Sequence, residues 1–287
     1  MRTVISRAST ALLGAVLLSL APDARANHPV FVEGNGCADG GPTATSVPPG
    51  TCGDYDGDGL IGTAEDTDNA TDRVFGTLRA ALGNTDLGAA INATHANQNG
   101  RVVIVTSGRF REQVVITAAN GNVSLEAAPG VDADIDAVVQ GVANNAAAQG
   151  TPGIVVDAPR ERRVTIRNIM SRNWTEGIQV VGDSHVAIDG CRLENNRDFG
   201  IHVMDDATVV ITDSDVNATG FRQAGGVDNA PNPGTGIAFE DESSGLIDQT
   251  TVTGSFATGI ANRTEDDDDV RLRNVAVFDN RPNTRGF

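Results

Sequence analysis

Gly177-Ile178-Gln179-Val180 and Gly200-Ile201-His202-Val203 decide the architecture, because the same opening pair recurs. It returns as Gly153-Ile154-Val155-Val156, Gly236-Ile237-Ala238-Phe239 and Gly259-Ile260-Ala261-Asn262. In chain order the steps between these glycines are 24, 23, 36 and 23 residues. The long step equals one ordinary step plus 13 residues, and a Gly/Pro/Asn stretch, Gln223 to Thr235, reads as the loop that supplies them. A fixed period of about two dozen residues is the signature of a solenoid in which each repeat packs only on its neighbours.

Within a repeat the apolar positions alternate, as half-buried strands require. Ile178 and Val180 form one inward pair, Val186 and Ile188 a second, and Cys191 and Leu193 a third. The following repeat answers with Ile201/Val203, Val209/Ile211 and Val216. Turn residues separate the strands: Gly182-Asp183-Ser184, Asp189-Gly190 and Glu194-Asn195-Asn196. Three strands per repeat, each stacked about 4.8 Å from its equivalent, give an all-β, three-sided solenoid. Val102 to Ile116 and Asn122 to Gly130 read as earlier, less regular coils. Asp72 to Leu82 reads as a short helix that caps the first coil, and Gly286-Phe287 reads as the start of one more.

These coil starts, the Val-x-Ile second strands and the entry segment resemble the pectin-lyase-like right-handed parallel β-helix superfamily over Asp72 to Phe287. The resemblance implies a right-handed, single-stranded β-helix. It implies no single activity, since the superfamily includes lyases, hydrolases, esterases, epimerases and non-catalytic surface proteins.

The rest of the chain sets its surroundings. Residues 1–26 read as an export signal: Arg2 and Arg7, an apolar run from Ala11 to Ala21, then Ala24-Arg25-Ala26. The mature chain then divides into a loop region, 27–71, and the β-helix, 72–287. Removing three Arg and one Asp leaves 18 basic and 37 acidic groups, a formal charge of −19. Such a surface excludes nucleic acid as a partner and suits divalent cations. No membrane span is expected after signal cleavage, so the protein is expected outside the cell or at its surface. All 21 basic residues are Arg. Cys37 and Cys52 bracket a Gly/Pro-rich loop and are expected to pair in an oxidising compartment; Cys191 is left as an inward, inert thiol.

Asp54-Tyr55-Asp56-Gly57-Asp58-Gly59-Leu60-Ile61-Gly62-Thr63-Ala64-Glu65 fits the calcium-loop pattern at every defined position. Asp54, Asp56 and Asp58 supply carboxylates at positions 1, 3 and 5, the Leu60 carbonyl faces the ion, and Glu65 closes the shell with two oxygens. Gly59 allows the sharp turn and Ile61 packs inward. The loop resembles those of EF-hands, dockerins and thrombospondin type 3 repeats, in a single copy and without a preceding helix. Ca²⁺ is therefore the expected cofactor, held as a structural clamp. Glu265 to Asp269, five acids in a row, reads as a hydrated loop with the composition for a looser second ion.

Beside polygalacturonases, the coil starts here carry Asn173-Trp174-Thr175-Glu176-Gly177, Arg197-Asp198-Phe199-Gly200, Gly234-Thr235-Gly236 and Ile260-Ala261-Asn262-Arg263. Glu176 and Asp198 stand where that family has acids and Arg263 stands near its basic end. Phe199, Thr235 and Ala261 replace the second Asp, the His and the Arg. Glu176, Asp198 and Arg263 are the candidate catalytic set, with His202 the one imidazole near them, expected to point outward to solvent. Trp174 is the sole Trp and Tyr55 the sole Tyr, which argues against an aromatic sugar platform. Two readings follow. One is a secreted calcium-binding scaffold, adhesive or associated with acidic polysaccharide or cell-surface glycan. The other is a lyase or hydrolase acting on uronate-containing glycans.

Overall fold

The computed structural model describes residues 30–33, 43–48, 51, 53–54, 59–62, 74–76, 99–105, 107–110, 113–137, 150–217, 219–220, 234–265, 269–280 and 282–287. From Asn99 onward the chain winds through three sheets in a fixed rotation. One full turn runs through Glu176–Val180, His185–Asp189 and Arg192–Glu194, and the next through Phe199–Val203, Thr208–Thr212 and Asp215–Asn217. Each strand pairs in parallel with its equivalents one coil before and one coil after. Among the described residues, sheet one, containing His185–Asp189, has nine strands; sheet two, containing Glu176–Val180, and sheet three, containing Arg192–Glu194, have seven each. The fold is a right-handed parallel β-helix with three strands per coil. The antiparallel pair among the described residues joins Thr45–Ser46 to Leu60–Ile61.

The inward columns follow the repeat read from the sequence. On sheet two Ile154, Ile178, Ile201, Ile237 and Ile260 are successive register partners and all are buried. On sheet one Ile166, Ile188, Ile211 and Ile247 stack in the same way, and on sheet three Leu193, Val216 and Val252. Each such side chain contributes about 1.5–3 kcal/mol of burial, offset by the entropy of ordering its strand. Cys191 lies inside this core as expected, and burial pushes its thiol up to about 12.

The glycine before each Ile is fixed by close approach. A Cβ on Gly177 would lie 2.6 Å from the Gly200 carbonyl oxygen. The same clash recurs from Gly200 to Gly236 at 2.6 Å, Gly236 to Gly259 at 2.5 Å and Gly259 to Asn283 at 2.4 Å. The bends between sheets one and three repeat just as strictly. Asn168, Gly190, Asp213, Gln249 and Asn274 all have positive φ, between 47° and 62°. Asn, Asp and Gly tolerate that left-handed conformation best, which explains the turn residues of the repeat.

After sheet three a second bend places a polar side chain against the core. The buried Asn196 side chain accepts from the Trp174 backbone N–H (3.2 Å) and donates to the Ser171 carbonyl (3.2 Å), tying its coil to the one before. Asn280 repeats the arrangement with the Ser255 N–H and the Val252 carbonyl. Thr219 and Ser255 hold the intervening positions, and their buried hydroxyls have no hydrogen-bond partner.

Four expectations change in detail. Val74–Gly76, read as part of a capping helix, is a strand paired in parallel with Val30–Glu33, which in turn pairs with Asn99–Ile104. Val and Phe suit a strand, and sheet one offers them an open edge; the remainder of 72–82 lies outside the described residues. Val30–Glu33 thereby brings the N-terminal region into sheet one, ahead of the boundary at residue 72. The last coil starts at Thr284, the partner of Ile260, so Gly286 is not a coil-start glycine but lies opposite Asn262. The 13 extra residues are 221–233 rather than 223–235. Thr235 already belongs to the strand Thr235–Asp241, and a Cβ on Gly234 would lie 2.2 Å from the Gly220 Cα.

Two tests follow from this packing. Gly236→Ala is expected to cost about 2–3 kcal/mol, since the obstructing atom is a backbone oxygen that can yield only by opening two coils; denaturant unfolding would measure it, and an unchanged midpoint would remove the close-approach argument. Deleting 221–233 makes Gly220 and Gly234 consecutive, and the two already approach so closely that no side chain fits between them. That variant is expected to keep its β-sheet circular dichroism and cooperative melt, whereas a collapse of either would show that the insertion is part of the core.

Candidate functional site

Of the calcium loop, Asp54 and Gly59 to Gly62 are among the described residues; Asp56, Asp58 and Glu65 lie outside them, as do Cys37, Cys52 and residues 1–26. The described part forms a tight turn. Asp54 is buried, and its Oδ2 accepts the Gly59 backbone N–H at 3.1 Å. Gly59 sits at φ +81°, a left-handed turn suited to glycine. Ile61 is buried and pairs with Thr45, so the chain leaving the turn is anchored in a small sheet. A first-position carboxylate bound to the sixth-position amide, a glycine turn and an inward eighth residue fit a loop that wraps oxygens around Ca²⁺.

The second candidate lies on the outer face of sheet two. Side chains there alternate with the inward isoleucines, so His202, flanked by Ile201 and Val203, points outward as parity predicts. It is not solvent-facing, however: His202 is 5% exposed. Its ring stacks on Phe199, with centroids 3.9 Å apart and planes 20° from parallel. Nδ1 lies 3.3 Å from Glu176 Oε2, on the preceding coil. Nε2 lies 3.3 Å from Glu240 Oε2, on the following coil, within ion-pair range but off the line of a hydrogen bond. Arg263 then pairs with the other oxygen of Glu240 at 2.5 Å. Phe199, Ala238 and Ala261 are buried beside this line without belonging to the inner core.

The candidate catalytic residues therefore fall into two groups. Glu176 and Arg263 are the ends of one charged line, Glu176–His202–Glu240–Arg263, that crosses four coils. Asp198 instead takes both oxygens to the neighbouring Arg197, at 3.0 and 2.9 Å. The Arg197 guanidinium pKa is raised, chiefly by that hydrogen bond and, against burial, by the charges of Asp198 and Glu176. Burial pulls the His202 pKa down, but the hydrogen bond and charge of Glu176, with the charge of Glu240, outweigh it and leave it raised.

Glu240 is the member that sequence reading missed. It stands four residues after Gly236, as Arg263 stands four after Gly259, so one column carries opposite charges on adjacent coils. That signal is visible in the aligned repeats. The link to Glu176 is not, because Glu176 precedes its glycine and His202 follows its own by two.

Sheet three carries another outward ion lattice. Asp134 meets Arg172 and, at 3.4 Å, Arg109; Asp136 meets the same two arginines at 3.3 and 3.2 Å. Burial raises the Asp134 pKa despite the opposing charge of Arg172. Each flat guanidinium fork reaches two carboxylates of the strand between them, Ala133–Asp136, a geometry that an ammonium point charge cannot reproduce.

Among the described residues no helix is long and apolar enough to cross a membrane, and no three His, Cys, Asp or Glu side chains converge as a metal site. No curated protein and no solved structure matches the chain. A family model described as a right-handed beta helix region matches residues 92–230, and with its three parallel sheets the protein is by fold a right-handed parallel β-helix.

Proposed function

We propose that this protein is an exported, calcium-binding β-helix scaffold that associates with acidic polysaccharide at or outside the cell surface. One observation carries the choice of scaffold over enzyme. Each charge of the candidate catalytic set is engaged by a neighbouring charge: Glu176 by His202, Asp198 by Arg197, Arg263 by Glu240. A lyase needs a base free to take the α-proton, and a hydrolase needs two carboxyl groups facing one glycosidic bond. An ion-paired face serves better as a rigid surface. The calcium reading rests on the complete loop pattern from Asp54 to Glu65 and on the Asp54–Gly59 turn.

The charge of the chain, −17 in full, sets a condition on the partner. An acidic glycan is repelled unless divalent cations stand between the two anions. Association is therefore calcium-dependent, with half-saturation around 10⁻⁴–10⁻³ M, as in extracellular calcium modules. The second reading, an enzyme acting on uronate-containing glycans, is favoured by one feature: an imidazole held between two carboxylates is a ready proton carrier.

Retention on immobilised polygalacturonate, with calcium and then with chelator, tests the proposal, while the soluble fraction is followed for unsaturated or shortened products. The expected result is retention in calcium, release by chelator, weaker retention of Asp54→Ala, and intact glycan. Products from the wild type, absent in Glu176→Gln, would establish the enzyme; no retention under any condition would remove the polysaccharide partner.

A further inference from the structure

We infer that His202 is a pH-operated clamp, doubly protonated when closed, that fastens three successive coils along the outer face of sheet two. Both ring nitrogens face carboxylate oxygens, Glu176 on one side and Glu240 on the other, each at 3.3 Å. A neutral imidazole has one N–H and one lone pair, so it must turn that lone pair toward one of the two carboxylates, against its charge. The imidazolium alone suits both.

The surrounding charges give the same answer. On the preceding coil the ring meets Glu176, and its register partner there is the uncharged Gln179. On the following coil it meets Glu240, and its register partner is Ala238. On its own coil lie Phe199, stacked on the ring, and the paired Arg197 and Asp198. Arg263 lies beyond Glu240. Three carboxylates, Glu176, Asp198 and Glu240, against two guanidinium groups, Arg197 and Arg263, leave one negative charge, and the imidazolium cancels it. Because His202 is buried, solvent cannot supply the missing partner when the proton leaves.

The direction of the pH effect follows from linkage. His202 has a folded-state pKa above its ordinary value of 6.5. Its contribution is fully present below about pH 6.5 and is lost as the pH rises through the folded-state value. The clamp is therefore closed below about pH 6.5 and opens as the pH rises through the raised folded-state value. This device is independent of whether the protein binds polysaccharide.

Two variants and two readouts test it. Ring signals of the four histidines, followed by NMR, should include one that titrates above 6.5 and disappears in His202→Gln. In Glu240→Gln the amide can donate to Nε2 while Nδ1–H donates to Glu176, so the neutral ring is satisfied and the same signal should titrate lower. Thermal melts at about pH 6 and about pH 8.5 should show the wild type losing about 2–4 °C more than either variant. A His202 midpoint at or below 6.5, or an equal alkaline loss in His202→Gln, overturns the clamp; the midpoint decides the matter even if one variant fails to fold.

Discussion

The separation of neighbouring strands, about 4.8 Å, governs everything else in this molecule. At the start of sheet two the coils approach so closely that the carbonyl of one glycine occupies the space where a Cβ on the glycine before it would lie, from Gly177 through Gly259. Once that contact fixes the register, the isoleucine after each glycine must fall on its equivalents, and the three inward columns form together. The left-handed residues at the bends close each turn without a helix or long loop. Stability is thus spread as many similar nearest-neighbour contacts, as in other solenoids.

The same constraint explains what was legible in the sequence. Gly-Ile spacing, apolar alternation and the turns at Gly182, Gly190 and Asn195 specify backbone conformation locally, so they could be read residue by residue; all three turn residues have positive φ. The segment around Val74 was misread because its apolar spacing suits either a helix face or a strand, and only the edge presented by Val30–Glu33 decides between them. Gly286 was misread for a related reason: glycine also serves turns, and the register sets Thr284, not Gly286, beside the preceding coil start.

Side-chain chemistry on the outer faces was less legible. Pairing across coils depends on rotamers and on offsets along the strand, which the repeat leaves free. Glu176 reaches His202 diagonally, whereas Glu240 and Arg263 meet as direct register partners. An acidic protein that uses only arginine can knit such faces with forks that bridge two acids at once, as Arg172 does between Asp134 and Asp136. The outcome is outer faces on sheets two and three where arginines such as Arg172 and Arg263 join charges on adjacent coils, while the chain as a whole keeps its excess of acids.

The stacking of isoleucines from successive coils is the claim to test most directly. In a sample labelled only at isoleucine methyl groups, a ladder of nuclear Overhauser contacts is expected from Ile154 through Ile178, Ile201 and Ile237 to Ile260. A second ladder runs through Ile166, Ile188, Ile211 and Ile247. Isolated methyl signals, or contacts that join residues only a turn of helix apart in sequence, would contradict the winding.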